Sequence, residues 1–287
     1  MKKITALMLA FVLVFGLTAC GTEKAADTTA DTTAETGTAE ETERTKLTVG
    51  FDAEFPPYGY MDDNGEYVGF DLDLAQEVCN RRGWELVKQP IDWDAKDMEL
   101  SSGSIDCIWN GFTINGREDD YTWSVPYVDN SQVFVVAADS GIATKADLAG
   151  KTVGVQKDSS ALAALEDEEN QENLDLAASF ANLTQYADYN TAFMDLEAGA
   201  IDALAIDIGV ANYQLSSRNG AYVLLGNNDP NEYLATEQYA IGFLKGNDAL
   251  KDQVEETLLE MVEDGTFAEI AEKYADFGLV DSVCLGK

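Results

Sequence analysis

Two copies of one local pattern restrict this chain to a paired architecture. Met98-Glu99-Leu100-Ser101-Ser102-Gly103-Ser104-Ile105-Asp106 returns as Met194-Asp195-Leu196-Glu197-Ala198-Gly199-Ala200-Ile201-Asp202, an offset of 96 residues. Each copy reads as a helix end, a glycine stop and a strand. Thr48-Val49-Gly50-Phe51 is echoed by Thr152-Val153-Gly154-Val155 at an offset of 104. Two echoes in the same order at nearly the same spacing predict two similarly built α/β units. Gln132-Val133-Phe134-Val135-Val136-Ala137 and Gln238-Tyr239-Ala240-Ile241-Gly242-Phe243-Leu244 read as apolar strands. If the second unit is inserted into the first, these strands carry the chain out and back and form a two-strand hinge.

The first unit opens with Leu47, Val49 and Phe51 alternating as in a strand, which stops at Asp52 before Pro56-Pro57. Asp52 is thereby expected at the carboxyl end of a strand, where open α/β sheets hold ligands. Met61 to Val68 reads as a hairpin around Asp63-Asn64-Gly65. A helix is expected from near Asp71 to Arg81-Arg82-Gly83, with cap, basic last turn and glycine stop in order. Asn247 to Tyr274 reads as two helices, the second opening with Thr266 and Glu269 at capping-box spacing.

Ahead of the first strand, Lys2-Lys3, an apolar run from Ile4 to Leu17 and Leu17-Thr18-Ala19-Cys20 read as a lipoprotein signal at residues 1–19, with a lipidated Cys20 starting the mature chain. Residues 20–45, rich in Thr, Ala, Asp and Glu and without an aromatic residue, cannot bury a core and are expected to form an extended acidic tether. A net charge of -35 argues against nucleic acid and anionic lipid surfaces as partners. Histidine is absent, which removes the usual general base and zinc ligand. No metal or cofactor is expected. Asp62-Asp63-Asn64-Gly65-Glu66 lacks the spacing of a calcium loop and reads as a turn. With Cys20 lipidated, Cys79, Cys107 and Cys284 remain; Cys79 and Cys107 read as small core residues.

The run Thr48 to Asp52, Phe55-Pro56-Pro57-Tyr58 and Gly69-Phe70-Asp71-Leu72-Asp73-Leu74-Ala75 resembles the opening of the bacterial extracellular solute-binding proteins of family 3, the polar amino-acid receptors of ABC importers. Trp123-Ser124-Val125-Pro126-Tyr127 and Gly265-Thr266-Phe267 are also similar to that family, so the resemblance runs from Leu47 to about Gly278. It implies a two-lobe, type II periplasmic-binding-protein-like α/β fold with a two-strand hinge. Residues 46–136 and 237–287 would form lobe 1, and residues 137–236 an inserted lobe 2. It implies an extracytoplasmic, lipid-anchored monomer that does no covalent chemistry and hands an L-amino acid to membrane permease subunits. A dehydratase on the same scaffold and a sensor with a separate signalling partner are the alternatives.

A free amino acid needs an anion site and a cation site facing each other. Of the arginines in the folded region, Arg81 and Arg82 end a helix and Arg218 precedes an Asn-Gly turn, whereas Arg117 follows a cleft-edge strand. Its planar fork suits a carboxylate. The resemblance gives Arg117 the same role, with Gly111 and Thr113 beside it. Ser159 or Ser160 is expected to cap a helix whose N–H groups suit the same carboxylate. Shifting Gly111 by the repeat offset lands on Asp207, an acid ending an apolar strand and matching the family's ammonium-binding aspartate. Gly111 would assist it. Phe55 and Trp93 match aromatic walls of the side-chain pocket, joined by Asp52, Tyr58 and Gln156. The sequence departs from the family at two points: one residue fewer separates Thr113 from Arg117, and Asp158 stands where glycine is usual. With Asp52 at the distal end, a polar or cationic side chain is expected, arginine or lysine ahead of glutamine.

Overall fold

Residues 44–287 are described by the computed structural model; the expected signal at 1–19, Cys20 and all but the last two residues of the expected tether lie outside the described residues. Among the described residues no helix is long and apolar enough to cross a membrane. Two sheets organise the chain. The first runs in the order Glu85–Pro90, Lys46–Phe51, Cys107–Ile108, Gly242–Leu244, Tyr121–Trp123. Its first three strands are parallel, and the helices Phe70–Arg82 and Lys96–Ser102 make the crossovers that parallel strands require. The second sheet runs Asn182–Tyr186, Thr152–Gln156, Ala203–Asp207, Val128–Ala137, Tyr222–Leu224, with Ala235–Tyr239 also paired to Val128–Ala137. Helices Gln171–Ser179 and Tyr189–Ala198 occupy the equivalent places in the chain.

The sequence echoes sit at matching positions in the two sheets. Val49 pairs with Cys107 in the first and Val153 with Ala203 in the second, so the strand registers repeat with the sequence. Asp106 accepts from the Thr48 N–H at 2.7 Å, and Asp202 accepts from the Thr152 N–H at 2.8 Å. The glycines recur for a steric reason. A Cβ on Gly50 would lie 2.4 Å from Ile105 Cδ1, and one on Gly154 would lie 2.6 Å from Ile201 Cδ1. Each isoleucine leaving the helix lies across the strand only where that strand lacks a side chain.

The crossing strands differ from the expectation. Val128–Gln132 pairs with Ala235–Tyr239, whereas Val133–Ala137 lies inside the second sheet beside Ala203–Asp207 and Tyr222–Leu224. The run Gln238 to Leu244 is not one strand. Ala240 donates to Phe112 O at 3.0 Å and Ile241 to Ser124 Oγ at 3.0 Å, so its middle leaves the ladder before Gly242–Leu244 joins the first sheet.

Of the two helix starts read from the sequence, one holds and one does not. The first helix, Phe70–Arg82, starts and stops where the sequence places it, with Gly69 at the cap position and Asp71 fully buried in the first turn. The Thr266–Glu269 capping box does not form. Gly265 closes Asp248–Asp264 and opens Thr266–Glu272 in one left-handed residue, leaving no extended position from which Thr266 could fold back. Thr266 instead accepts from Arg81 Nη2 at 2.9 Å. These closing helices return to the first sheet's side, where Phe70 meets Phe267 and Tyr274 edge-on at 5.9 and 5.8 Å. Cys79 and Cys107 are buried in the core, and Cys284 is half-buried.

Candidate functional site

Where the two sheets face each other, one chamber gathers residues from both. Phe55, Trp93, Gly111, Thr113 and Arg117 line it from the first unit, and Gln156, Ser159, Ser160 and Asp207 from the second. Asn110 completes the wall.

Arg117 is held by its surroundings. Nη1 donates to Thr113 O at 3.3 Å, Nη2 to Asp158 O at 3.2 Å, and the guanidinium lies 5.3 Å from the Phe112 ring centroid. The remaining N–H groups of the fork are available for a ligand acceptor. Gly111 has φ +57°, and a Cβ there would sit 2.9 Å from Tyr239 and 3.0 Å from Phe55. Glycine is therefore needed for both conformation and space. Its N–H donates to Asp71 Oδ2 at 2.6 Å, so this buried acid of the first helical turn fixes the corner together with Tyr127 OH, 2.8 Å away. Burial pushes the Asp71 carboxyl up to about 7.

On the opposite wall Ser159, not Ser160, caps the helix Ser160–Glu166, accepting from Leu162 N at 3.2 Å and donating to Gln156 O at 2.8 Å. Ser160 instead turns toward Thr113, 3.2 Å away across the cleft. Both hydroxyls donate to Glu237 Oε1, at 3.1 and 2.7 Å. Asp207 ends its strand and is buried; it accepts from Asn130, Gln132, Tyr189 and Tyr239 at 2.5 to 3.3 Å. Burial, and then the nearby Glu237 carboxylate, push Asp207 up to about 6. Asn130 Nδ2 and Gln132 Nε2 each reach both acids.

Glu237, Asn130, Gln132, Tyr189 and Tyr239 escaped the sequence reading. One signal was present: Asn130 and Gln132 share parity with the buried Val128 just ahead of the apolar run Val133 to Ala137, and Glu237 shares parity with the buried Tyr239. Alternation within each strand and the pairing of the two place Asn130, Gln132, Glu237 and Tyr239 on one face, whereas Tyr189 opens the helix Tyr189–Ala198 and carries no such signal.

Two expected pocket residues do not line the chamber. Tyr58 is 1% exposed, packs edge-on to Tyr239 at 5.3 Å, and lies so near Gly209 that a Cβ there would be 2.3 Å from its hydroxyl. Its place in a loop after Asp52 did not fix its direction. Asp52 sits behind Gln156, accepting from its Nε2 at 2.7 Å and from Glu54 N at 2.8 Å. Burial raises its carboxyl to about 6. Asp52 faces an adjoining hollow with Glu54, Asp92, Trp93, Glu99 and Asp188. Among the described residues no cluster of His, Cys, Asp or Glu could hold a metal ion.

The family model described as bacterial extracellular solute-binding proteins, family 3, matches residues 47–277. The L-cystine-binding protein TcyJ of Escherichia coli (strain K12) is 30% identical over 81% of this chain and 83% of its own. The arginine-binding extracellular protein ArtP of Bacillus subtilis (strain 168) is 27% identical over 96% of this chain and 98% of its own. A substrate-binding protein of an ABC uptake transporter from Streptococcus pneumoniae, solved with bound histidine, superposes with a TM-score of 0.73 at 37% identity, covering 80% of this chain and 92% of that one. The architecture is the two-lobe, type II periplasmic-binding fold. With a match across nearly all the described residues, this chain belongs to the bacterial extracellular solute-binding proteins, family 3.

Proposed function

We propose that this protein is the substrate-binding lipoprotein of an ABC importer, that it closes on a polar or cationic L-amino acid, and that it delivers the ligand to permease subunits in the membrane. The observation that carries this reading is one chamber with Arg117 on one wall and the buried Asp207 on the other. A carboxylate and an ammonium on one carbon match that pair. The named ligands of its relatives, cystine, arginine and histidine, agree with such a site. Gly111 and Asp207 would take the ammonium, and Arg117 the carboxylate, with Thr113, Ser159 and Ser160 at that end. The side chain would run between Phe55 and Trp93 past Gln156 toward the acidic hollow at Asp52. That hollow has five carboxylates and no basic residue in its lining, which favours arginine or lysine over glutamine and disfavours aspartate and glutamate. A dehydratase would need an acid beside its substrate, and Asp52 spends both oxygens on Gln156 and Glu54 instead. The working form is a monomer.

The test is a thermal-shift screen of the twenty amino acids and cystine. A ligand at one hundred times its Kd stabilises by about 2.7 kcal/mol, so binders separate clearly. No shift with any of them rejects the reading.

Closure is expected about the crossing strands Val128–Gln132 and Ala235–Tyr239. Small-angle scattering should give a smaller radius of gyration with ligand than without, and identical curves at saturation would indicate a rigid pocket. The anchor is checked separately. Cys20→Ser should abolish lipid attachment and leave an uncleaved precursor or a soluble form, with ligand affinity unchanged because Cys20 precedes the matched region. Lost affinity in the purified variant would contradict the tether.

A further inference from the structure

Lys96 opens the helix Lys96–Ser102 in the first lobe, and its side chain is only 2% exposed. An ammonium this deeply buried needs a partner. Among the described residues, the carboxylate within ion-pairing distance belongs to Asp158, which lies in the other lobe, between Thr152–Gln156 and Ser160–Glu166. Asp158 is itself half exposed and has φ +54°, an uncommon conformation for any residue but glycine. Its carbonyl also accepts from two first-lobe side chains, Trp93 Nε1 and Arg117 Nη2, each at 3.2 Å. Trp93 closes the other side of the lysine, with Nζ 5.0 Å from its ring centroid.

We propose that Lys96 and Asp158 form a charge latch across the cleft, in which Asp158 is the residue that permits the lobes to stay closed over a bound amino acid. The inference rests on the amino-acid-binding reading and adds to it a residue that sets ligand residence time. When the lobes part, water can reach the lysine and no pairing is required. When they meet, the ammonium is dehydrated and only Asp158 supplies a compensating charge. The two members of the pair are therefore unequal. Removing Asp158 leaves a buried, uncompensated cation in the closed state alone, whereas replacing Lys96 with an apolar residue of similar length removes the penalty and leaves a half-exposed carboxylate.

The experiment is a double-substitution cycle in the mature chain, read as L-arginine association and dissociation by stopped-flow tryptophan fluorescence. Asparagine tolerates positive φ, so Asp158→Asn tests the charge and not the backbone. Asp158→Asn should speed dissociation by roughly 10- to 100-fold while changing association by less than about threefold. Lys96→Met should stay within about threefold of wild type, and adding it to Asp158→Asn should restore slow dissociation. A loss of local packing would show no such rescue. Dissociation within about twofold of wild type for Asp158→Asn, or a double variant as fast as Asp158→Asn, overturns the latch. A wild-type chain that does not bind L-arginine rejects the cationic-ligand reading instead. The same cycle is then run with the amino acid giving the largest shift in the thermal screen, and a double variant as fast as Asp158→Asn overturns the latch there too.

Discussion

Arg117→Ala should weaken amino-acid binding by about 2 to 5 kcal/mol, roughly 30- to 5,000-fold, because the ligand carboxylate would stay in the closed chamber without its charged partner. The magnitude follows from how the side chain is held. Arg117 rests against the Phe112 ring and hydrogen-bonds to the backbone at Thr113 and Asp158, so little freedom remains to be lost when a ligand arrives. Arg117→Lys should recover only part of the loss, since an ammonium keeps the charge but not the two parallel N–H groups. Calorimetric titration with the best ligand of the thermal screen decides the matter. An affinity unchanged in Arg117→Ala would move the carboxylate site elsewhere in the cleft.

The two-lobe plan was legible because packing constraints are written into the repeats. Gly50 and Gly154 must lack a side chain to admit Ile105 and Ile201, so the same short words recur wherever the same crossing recurs. Arg117 and Asp207 were readable for a related reason: both follow or end strands whose direction is set by the preceding residues. The polar floor between them was not. Asn130, Gln132 and Glu237 resemble the solvated residues of an edge strand, and their burial arises only when the two crossing strands pair and the lobes meet. Asp71 was hidden differently. A carboxylate in a first helical turn fits both a cap and a buried support, and the partners that distinguish them, Gly111 and Tyr127, are remote in sequence.

That hidden floor gives the ammonium end a pH dependence. Asp207 shares donors with Glu237, and burial together with that neighbouring charge raises its carboxyl to about 6, above its ordinary value of 3.8. A group raised on folding favours its protonated form in the native state, so its contribution to ligand-free stability is present at low pH and is lost as pH rises through about 6. Asp52, raised to about 6, and Asp71, raised to about 7, act in the same direction. Ligand-free protein should therefore lose stability from these groups as pH rises from about 4, the ordinary carboxyl value, to about 7.

Ligand affinity should run the opposite way. An ammonium beside Asp207 favours the ionised carboxylate, so a proton and the ligand compete for the same charge. Affinity is expected to be flat above about pH 7 and to fall below about pH 6, approaching tenfold per pH unit. The other groups around Asp207, the amides of Asn130 and Gln132 and the hydroxyls of Tyr189 and Tyr239, do not titrate in that window. Asp207→Asn should cost about 2 to 5 kcal/mol of binding at neutral pH and should also flatten the profile, because the group that binds the competing proton is gone. Glu237→Gln should keep the slope but shift its midpoint to lower pH, since Asp207 loses its nearest like charge. Calorimetry from about pH 4.5 to pH 7.5 on the three proteins reads all of this. A wild-type affinity that does not change across that range would mean that no ammonium sits against Asp207.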